Sequence, residues 1–351
     1  MSLETLPVEL IDLVAENLVS IGDVNTLSRT SRHLHLIVDH RLYARDAKHD
    51  RKALKWSIRK GSFSVLTKTI QHGADVNKAY YSLIPYVPLT MASENHHVEI
   101  VKLLLEHGAD PNPPEPRGLS HTPLSAAAES GCYEIVKILI EAGADVHATT
   151  RDEWGPVALS RAMIVDQNDD IIRLLLEKGA LNDTPEHCRA FALENAILFG
   201  TLSTVKLLLQ AGVNPICRDI DGLTPPMLAM AVRSEDMALF LLEIGAGLDL
   251  TDYEGKGLMW YAASHDHENV VKYLLDRGCS PDDDRWPPLT AAVLGKEAIV
   301  RLLLDAGARV EQQDEQERTP LRIAYEGGDI DTVELLLERG ASLKGAGLDE
   351  S

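Results

Sequence analysis

Aromatic residues are scarce in this chain: they make up 5% of 351 residues, with only four Phe and four Trp. A core so short of large side chains has to be built from Leu, Val, Ile and Ala in thin layers. Long apolar runs are missing too. None approaches the roughly 18 residues of a membrane span, so no membrane partner is expected. The opening Met1-Ser2-Leu3-Glu4 lacks the basic stretch of a secretory leader. Four cysteines, at 132, 188, 217 and 279, form no C-x-x-C pair. That excludes a zinc knuckle and a disulfide framework and fits a reducing compartment, cytoplasmic or nuclear. A cationic excess is also lacking. The net charge is −20, with +2 on residues 1–60 and −22 on the remaining 291. Such a body repels phosphate backbones, so no nucleic-acid partner is expected.

What is present is a repeat. Gly followed by a small residue or valine recurs at Gly73, Gly108, Gly143, Gly179, Gly212, Gly245, Gly278, Gly307 and Gly340, in steps of 29 to 36 residues. A period near 33 is the mark of a solenoid. Seven, four and three residues before the Gly stand apolar triads such as Val101, Leu104, Leu105 and Val271, Leu274, Leu275. Spacings of three and four put each triad on one face of a helix. The Gly then supplies a left-handed helix end. About twelve residues on, Thr122-Pro123, Thr224-Pro225 and Thr319-Pro320 read as a Thr N-cap with Pro at the first helical position. An alanine follows at Ala92, Ala127, Ala196, Ala229, Ala262, Ala292 or Ala324, small enough for neighbouring helices to approach closely.

Thr-Pro-Leu-x-x-Ala followed by Val-x-x-Leu-Leu-x-x-Gly-Ala-Asp resembles the ankyrin repeat. The resemblance implies an all-α solenoid of helix pairs with β-hairpin fingers between them, nine repeats over residues 51–343 and a tail at 344–351. No repeat keeps the family's His after Thr-Pro-Leu, where Thr90, Ser125, Met227, Thr290 or Arg322 stands instead. The polar interlock between repeats made by that His is therefore not implied here. The starts at Phe191-Ala192 and Gly257-Leu258 lack the cap and are expected to be locally weak.

Residues 1–50 do not share the repeat. Leu10, Val14, Leu18 and Ile21 form a helical stripe, followed by a break at Gly22-Asp23 and a short apolar helix. Some forty residues are too few for an independent core of three helices. The order Leu6-Pro7-x-Glu9-Leu10, then Asp23-Val24-x-x-Leu27, Ser31-Arg32 and Leu42-Tyr43 resembles the F-box. That resemblance implies a three-helix unit docking on the small adaptor subunit of a cullin–RING ubiquitin ligase. Leu6, Pro7, Leu10, Ile11, Val14 and Leu18 would supply the docking face. The alternative is that the same stripe packs on the first, degenerate repeat as an N-terminal cap.

Repeat arrays bind through finger tips and first helices. The residue before the Thr-Pro position is Tyr86, His121, Trp154 or Trp286, and nearby finger positions include Asp221, Tyr253, Asp283, Asp284, Glu315 and Arg318. Aromatics amid charge make interface hot spots, so these residues are candidates for holding a protein substrate. The acidity of the last fingers points to a basic one. No glycine-rich phosphate loop occurs. His96-His97 and His265-Asp266-His267 fall at inter-helix turns without a third ligand, and Cys132 has no base beside it, so no metal, cofactor or catalytic residue is implied. A non-catalytic substrate receptor is the leading reading. A plain ankyrin scaffold or inhibitor is the runner-up, and a cryptic hydrolase, detectable as activity without partners, is the remote third.

Overall fold

The computed structural model describes residues 52–78, 87–114, 121–149, 155–165, 168–283, 285–293 and 297–347. The residues expected to dock on an adaptor, Leu6, Pro7, Leu10, Ile11, Val14 and Leu18, and the finger candidates Tyr86, Trp154 and Asp284, lie outside them. The chain forms two compact units, residues 1–180 and 181–351. Unit 1 pairs α1 (Lys52–Lys60) with α2 (Phe63–Gln71), α3 (Pro88–Glu94) with α4 (Val98–Glu106), α5 (Pro123–Glu129) with α6 (Tyr133–Glu141), and α7 (Val157–Met163) with α8 (Asp169–Glu177). Unit 2 pairs α9 (Glu186–Phe199) with α10 (Leu202–Gln210), α11 (Pro225–Ala231) with α12 (Glu235–Glu243), and α13 (Leu258–Ser264) with α14 (Glu268–Asp276). It continues with α15 (Pro288–Ala292) and α16 (Glu297–Asp305), then α17 (Pro320–Gly327) and α18 (Ile330–Glu338). Among the described residues no helix is long and apolar enough to cross a membrane.

The apolar triads form the core as their spacing demands, with one refinement. The first two members are buried, as in Val101 and Leu104, Val136 and Leu139, or Val271 and Leu274. The third, as in Leu105, Ile140 and Leu275, is half-buried. The inner edge of the stripe is completed by the residue before the triad: Ile100, Ile135, Ile171, Val270 and Ile299 are all buried. The alanines of the first helices are fully buried, Ala92, Ala127, Ala229, Ala262 and Ala292 among them. They let α1, α3, α5 and α7 stack in sequence in unit 1, and α9, α11, α13, α15 and α17 in unit 2. Each repeat's Gly has a left-handed backbone; at Gly108 (φ 80) its N–H donates to the Leu105 carbonyl and that of Ala109 to Leu104. This closes the helix end in the Schellman manner.

Three expectations are corrected. Among the described fingers none forms a β-hairpin: no strand occurs in the described residues, and isolated bridges pair Thr149 with Pro156 and Thr251 with Gly257. The repeat expected to start at Phe191 begins at Glu186, and its first helix runs 14 residues. With no Thr-Pro to set the start, helix-compatible residues let the helix extend back to Pro185, which stops it. The Thr224 cap also fails: its hydroxyl makes no cap bond, although the N–H it would use, that of Met227 three residues on, is present. Thr122 and Thr319 do cap, accepting from the N–H of Ser125 and Arg322.

A polar interlock between repeats exists after all, at a different position from the family's His. The residue capping the second helix reaches back to the end of the preceding first helix. His267 is buried, and its Nε2 donates to the Met230 carbonyl at 2.8 Å. Asn168, also buried, donates to Ala128 at 3.1 Å and to Ala162 at 3.2 Å. His97 lies 3.5 Å from the Arg59 carbonyl. These bonds satisfy helix-end carbonyls that would otherwise be orphaned.

Candidate protein-interaction surface

The best-defined surface lies in unit 2, where the fingers meet the first helices. Its frame is a turn used three times. Asp219, Asp252 and Asp314 each start a five-residue turn whose first N–H donates to the fifth carbonyl. In each, one carboxylate oxygen accepts two backbone N–H groups: Asp221 and Leu223 on Asp219, Glu254 and Lys256 on Asp252, Gln316 and Arg318 on Asp314. The fourth residue is left-handed: Gly222, Gly255 and Glu317. Asp252 and Asp314 are therefore staples of their own fingers. Asp252 also accepts the hydroxyl of Tyr261 at 2.7 Å. Burial and then this bond to a carboxylate raise the Tyr261 pKa well above the phenol range. Burial opposes the charge on Asp314, but the N–H and guanidinium of Arg318 outweigh it and hold the carboxyl below its usual value.

The aromatic element sits on this frame. Trp260, on α13, and Trp286 approach edge to face with centroids 6.2 Å apart. The ammonium of Lys256 lies 4.6 Å from the Trp260 centroid and 4.5 Å from that of Trp286, and it pairs with the Glu254 carboxylate. Trp286 is held twice. Its indole N–H donates to the Glu254 carbonyl at 2.9 Å, and its backbone N–H donates to Asp283 at 2.8 Å. Asp283 also accepts the N–H of Arg285, whose side chain pairs with Glu315 at 3.2 Å. Towards the tip, Tyr253 is 71% exposed and Ile220 80%. The Tyr253 ring lies on Gly222, where an added Cβ would meet it at 2.7 Å.

Of the sequence-based candidates, the structure brings Asp283, Trp286, Glu315 and Tyr253 into this run of fingers, with Asp221 exposed beside Tyr253. Arg318 is engaged with Asp314 at 2.8 Å, so its charge is largely committed to its own turn. Asp283 serves as a backbone cap. His121 belongs to unit 1, with its Nδ1 3.7 Å from Glu129, which in turn pairs with Arg161 at 3.3 Å. Two residues escaped sequence reasoning. Lys256 holds the same register as Trp286, ahead of the first helix. Trp260 holds the register of Thr290 and Arg322. Carrying the alignment through the capless start at Gly257 would have found both. Nucleophile chemistry finds no support at Cys217, whose thiol burial pushes up to about 11.

Stacked helix pairs with stapled fingers between them define a repeat protein that recognises other polypeptides by surface. The comparison with known families gives the same class: the model for "Ankyrin repeats (3 copies)" matches residues 54–150, 89–186, 193–285 and 260–345. The chain belongs to the ankyrin-repeat family. Similar curated proteins include inversin of Homo sapiens, 28% identical over 53% of this chain and 18% of that protein. The B-cell lymphoma 3 protein homolog of Mus musculus is 28% identical over 55% of the chain and 46% of its own length. The putative palmitoyltransferase ZDHHC13 of Danio rerio is 30% identical over 48% and 27%. The chain thus spans less than two thirds of each of these relatives. Ankyrin repeats are protein–protein interaction modules, and that much follows for this chain.

Proposed function

We propose that this protein is a non-catalytic substrate receptor. Its N-terminal segment docks on the small adaptor subunit of a cullin–RING ubiquitin ligase, and its ankyrin fingers hold the protein to be modified. The observation that carries the reading is the F-box-like order of Leu6, Pro7, Leu10, Ile11, Val14 and Leu18 directly ahead of an ankyrin array. The mechanism is proximity: tethering raises the effective concentration of target lysines near the conjugating enzyme. The test is capture by the purified adaptor. Wild type binds, and Leu10→Asp, which puts a charge in the apolar stripe, loses at least about tenfold in affinity. Absence of binding by wild type removes the ligase role.

A second reading, an ankyrin scaffold or inhibitor whose first 50 residues only cap the array, has its own support. Trp56 on α1 is 52% exposed and lines a cavity of about 450 Å³ with Lys55, Arg59, Lys60 and Asn95. Such a surface on the first described repeat would suit a capping segment.

A further inference from the structure

We propose that Trp260, Trp286 and the Glu254 carboxylate form a cation cage that takes the ammonium group of a lysine side chain, methylated or not, from a basic protein segment. Lys256 is its resident occupant, displaced when the partner binds. This rests on the reading that the fingers of unit 2 hold the partner, and not on adaptor docking.

Two of the chain's four tryptophans meet here, in a protein that has few aromatics to place. Their faces and edges enclose one ammonium at 4.5 and 4.6 Å, within the range at which the ring quadrupole attracts a cation. The carboxylate supplies the counter-charge. The occupant therefore reports what the cage selects: a compact cation on a flexible stem.

The walls do not depend on that occupant. Trp286 is fixed by Glu254 and Asp283. Trp260 is fixed by its helix and by an edge contact with Tyr261, 5.2 Å between centroids. Tyr261 is in turn fixed by Asp252. Apart from the two rings, Lys256, whose side chain is 18% exposed, is tied to this frame through its backbone and through Glu254, whose side chain is 64% exposed. It can leave by rotamer changes without breaking the finger. A cage whose walls are set in advance loses little ordering entropy when a new cation enters. Charge selects the same partner, since Asp221, Asp249, Glu254 and Glu315 are exposed along these fingers and the net charge is −20.

The experiment uses the full chain, with tryptophan fluorescence read against two probes. One is tetramethylammonium, with tert-butanol as the neutral control of similar size. The other is a short basic peptide carrying one Nε-trimethyllysine. Wild type is expected to show weak saturable quenching by both cations and none by the alcohol. Lys256→Ala, which removes the ammonium between the rings and leaves the Arg285 guanidinium 5.6 Å from the Trp286 centroid, should bind about tenfold more tightly, with Lys256→Ser as a second removal. Glu254→Gln should weaken binding, and Trp286→Leu, which keeps an apolar side chain, should abolish it. Far-UV circular dichroism checks that each variant is folded. Equal response to the alcohol, no saturation by the peptide in wild type at low salt, or no gain on removing Lys256 would each overturn the cage. Adaptor capture is measured on the same variants. Its retention alongside a failed cage leaves the ligase reading standing, and its absence alongside a working cage leaves the cage standing.

Discussion

The two units hold successive repeats together in different ways at the same place, the corner after each repeat's Gly. At two corners of unit 1 the work is done by a neutral amide, while His147 stands at the third. Asn77 donates to the Gly108 carbonyl at 2.7 Å and accepts from the Asp110 N–H at 2.7 Å. Asn112 repeats this on Gly143 and Asp145, at 2.8 and 2.7 Å. In unit 2 the corresponding residues are Ile216, Asp249, Asp282 and Glu311. A carboxylate accepts but cannot donate, so Asp282 takes the backbone N–H and guanidinium of Arg309, and Glu311 takes the N–H of Ser342. An amide that both donates and accepts joins two repeats by itself, without a net charge. A carboxylate can only accept, and at Asp282 it recruits the Arg309 cation, which leaves that corner sensitive to salt. Unit 2 thus gives up a neutral stitch and gains charge in the fingers that carry Trp286 and Tyr253.

If the corner is where the units differ, their cores should respond alike. Leu139 in unit 1 and Leu274 in unit 2 stand at the same register and are both 0% exposed. Leu139→Ala and Leu274→Ala should each cost about 2–5 kcal/mol, read as the shift in denaturant midpoint. A large gap between the two would mean that the units differ in packing and not only in their stitches.

The corner itself is the next test. Asn112→Ala removes a donor and an acceptor together and should cost about 1–3 kcal/mol, nearly independent of salt. Asp282→Ala removes an exposed pair with Arg309 and one backbone bond, and should cost about 1 kcal/mol or less. Repeating both denaturations at 0.1 and 1 M salt separates them. The cost of Asp282→Ala should shrink as the Debye length falls from about 10 to 3 Å, while that of Asn112→Ala stays. Equal salt dependence would erase the distinction.

Much of this was legible in the sequence because the signals are local. The triad of Val136, Leu139 and Ile140, the left-handed Gly143 and the close-packed Ala127 each follow from a spacing or a missing side chain. What was not legible depends on partners far along the chain. Nothing near His267 in sequence marks it as the donor to Met230, 37 residues back. In sequence Asp252 and Asp314 only add to the acidity of the last fingers, since the turns that consume their oxygens form only when the backbone closes. Trp260 was hidden by a repeat without its Thr-Pro landmark, and the place of Lys256 between two rings 26 residues apart in sequence shows only once the fingers stack. The apolar stripe proposed to dock on an adaptor and three of the finger candidates, Tyr86, Trp154 and Asp284, lie outside the described residues.

The smallest expected effect concerns one finger of unit 2 set against its two neighbours. Gly222 and Gly255 occupy the left-handed fourth position of their turns, and Glu317 does so in the third, at φ 58. A side chain there crowds the following carbonyl by about 1–2 kcal/mol. Introducing glycine relieves that and adds freedom to the unfolded chain, which gives back about 0.5–1 kcal/mol. Glu317→Gly should therefore stabilise the protein by at most about 1.5 kcal/mol, visible as a small rise in denaturant midpoint. The Glu317 N–H donates to the Asp314 carbonyl at 2.9 Å through the backbone, so the substitution leaves the staple whole. Loss of stability would show that the Glu317 side chain contributes more at this position than its conformation costs, and that the three turns are alike in backbone only.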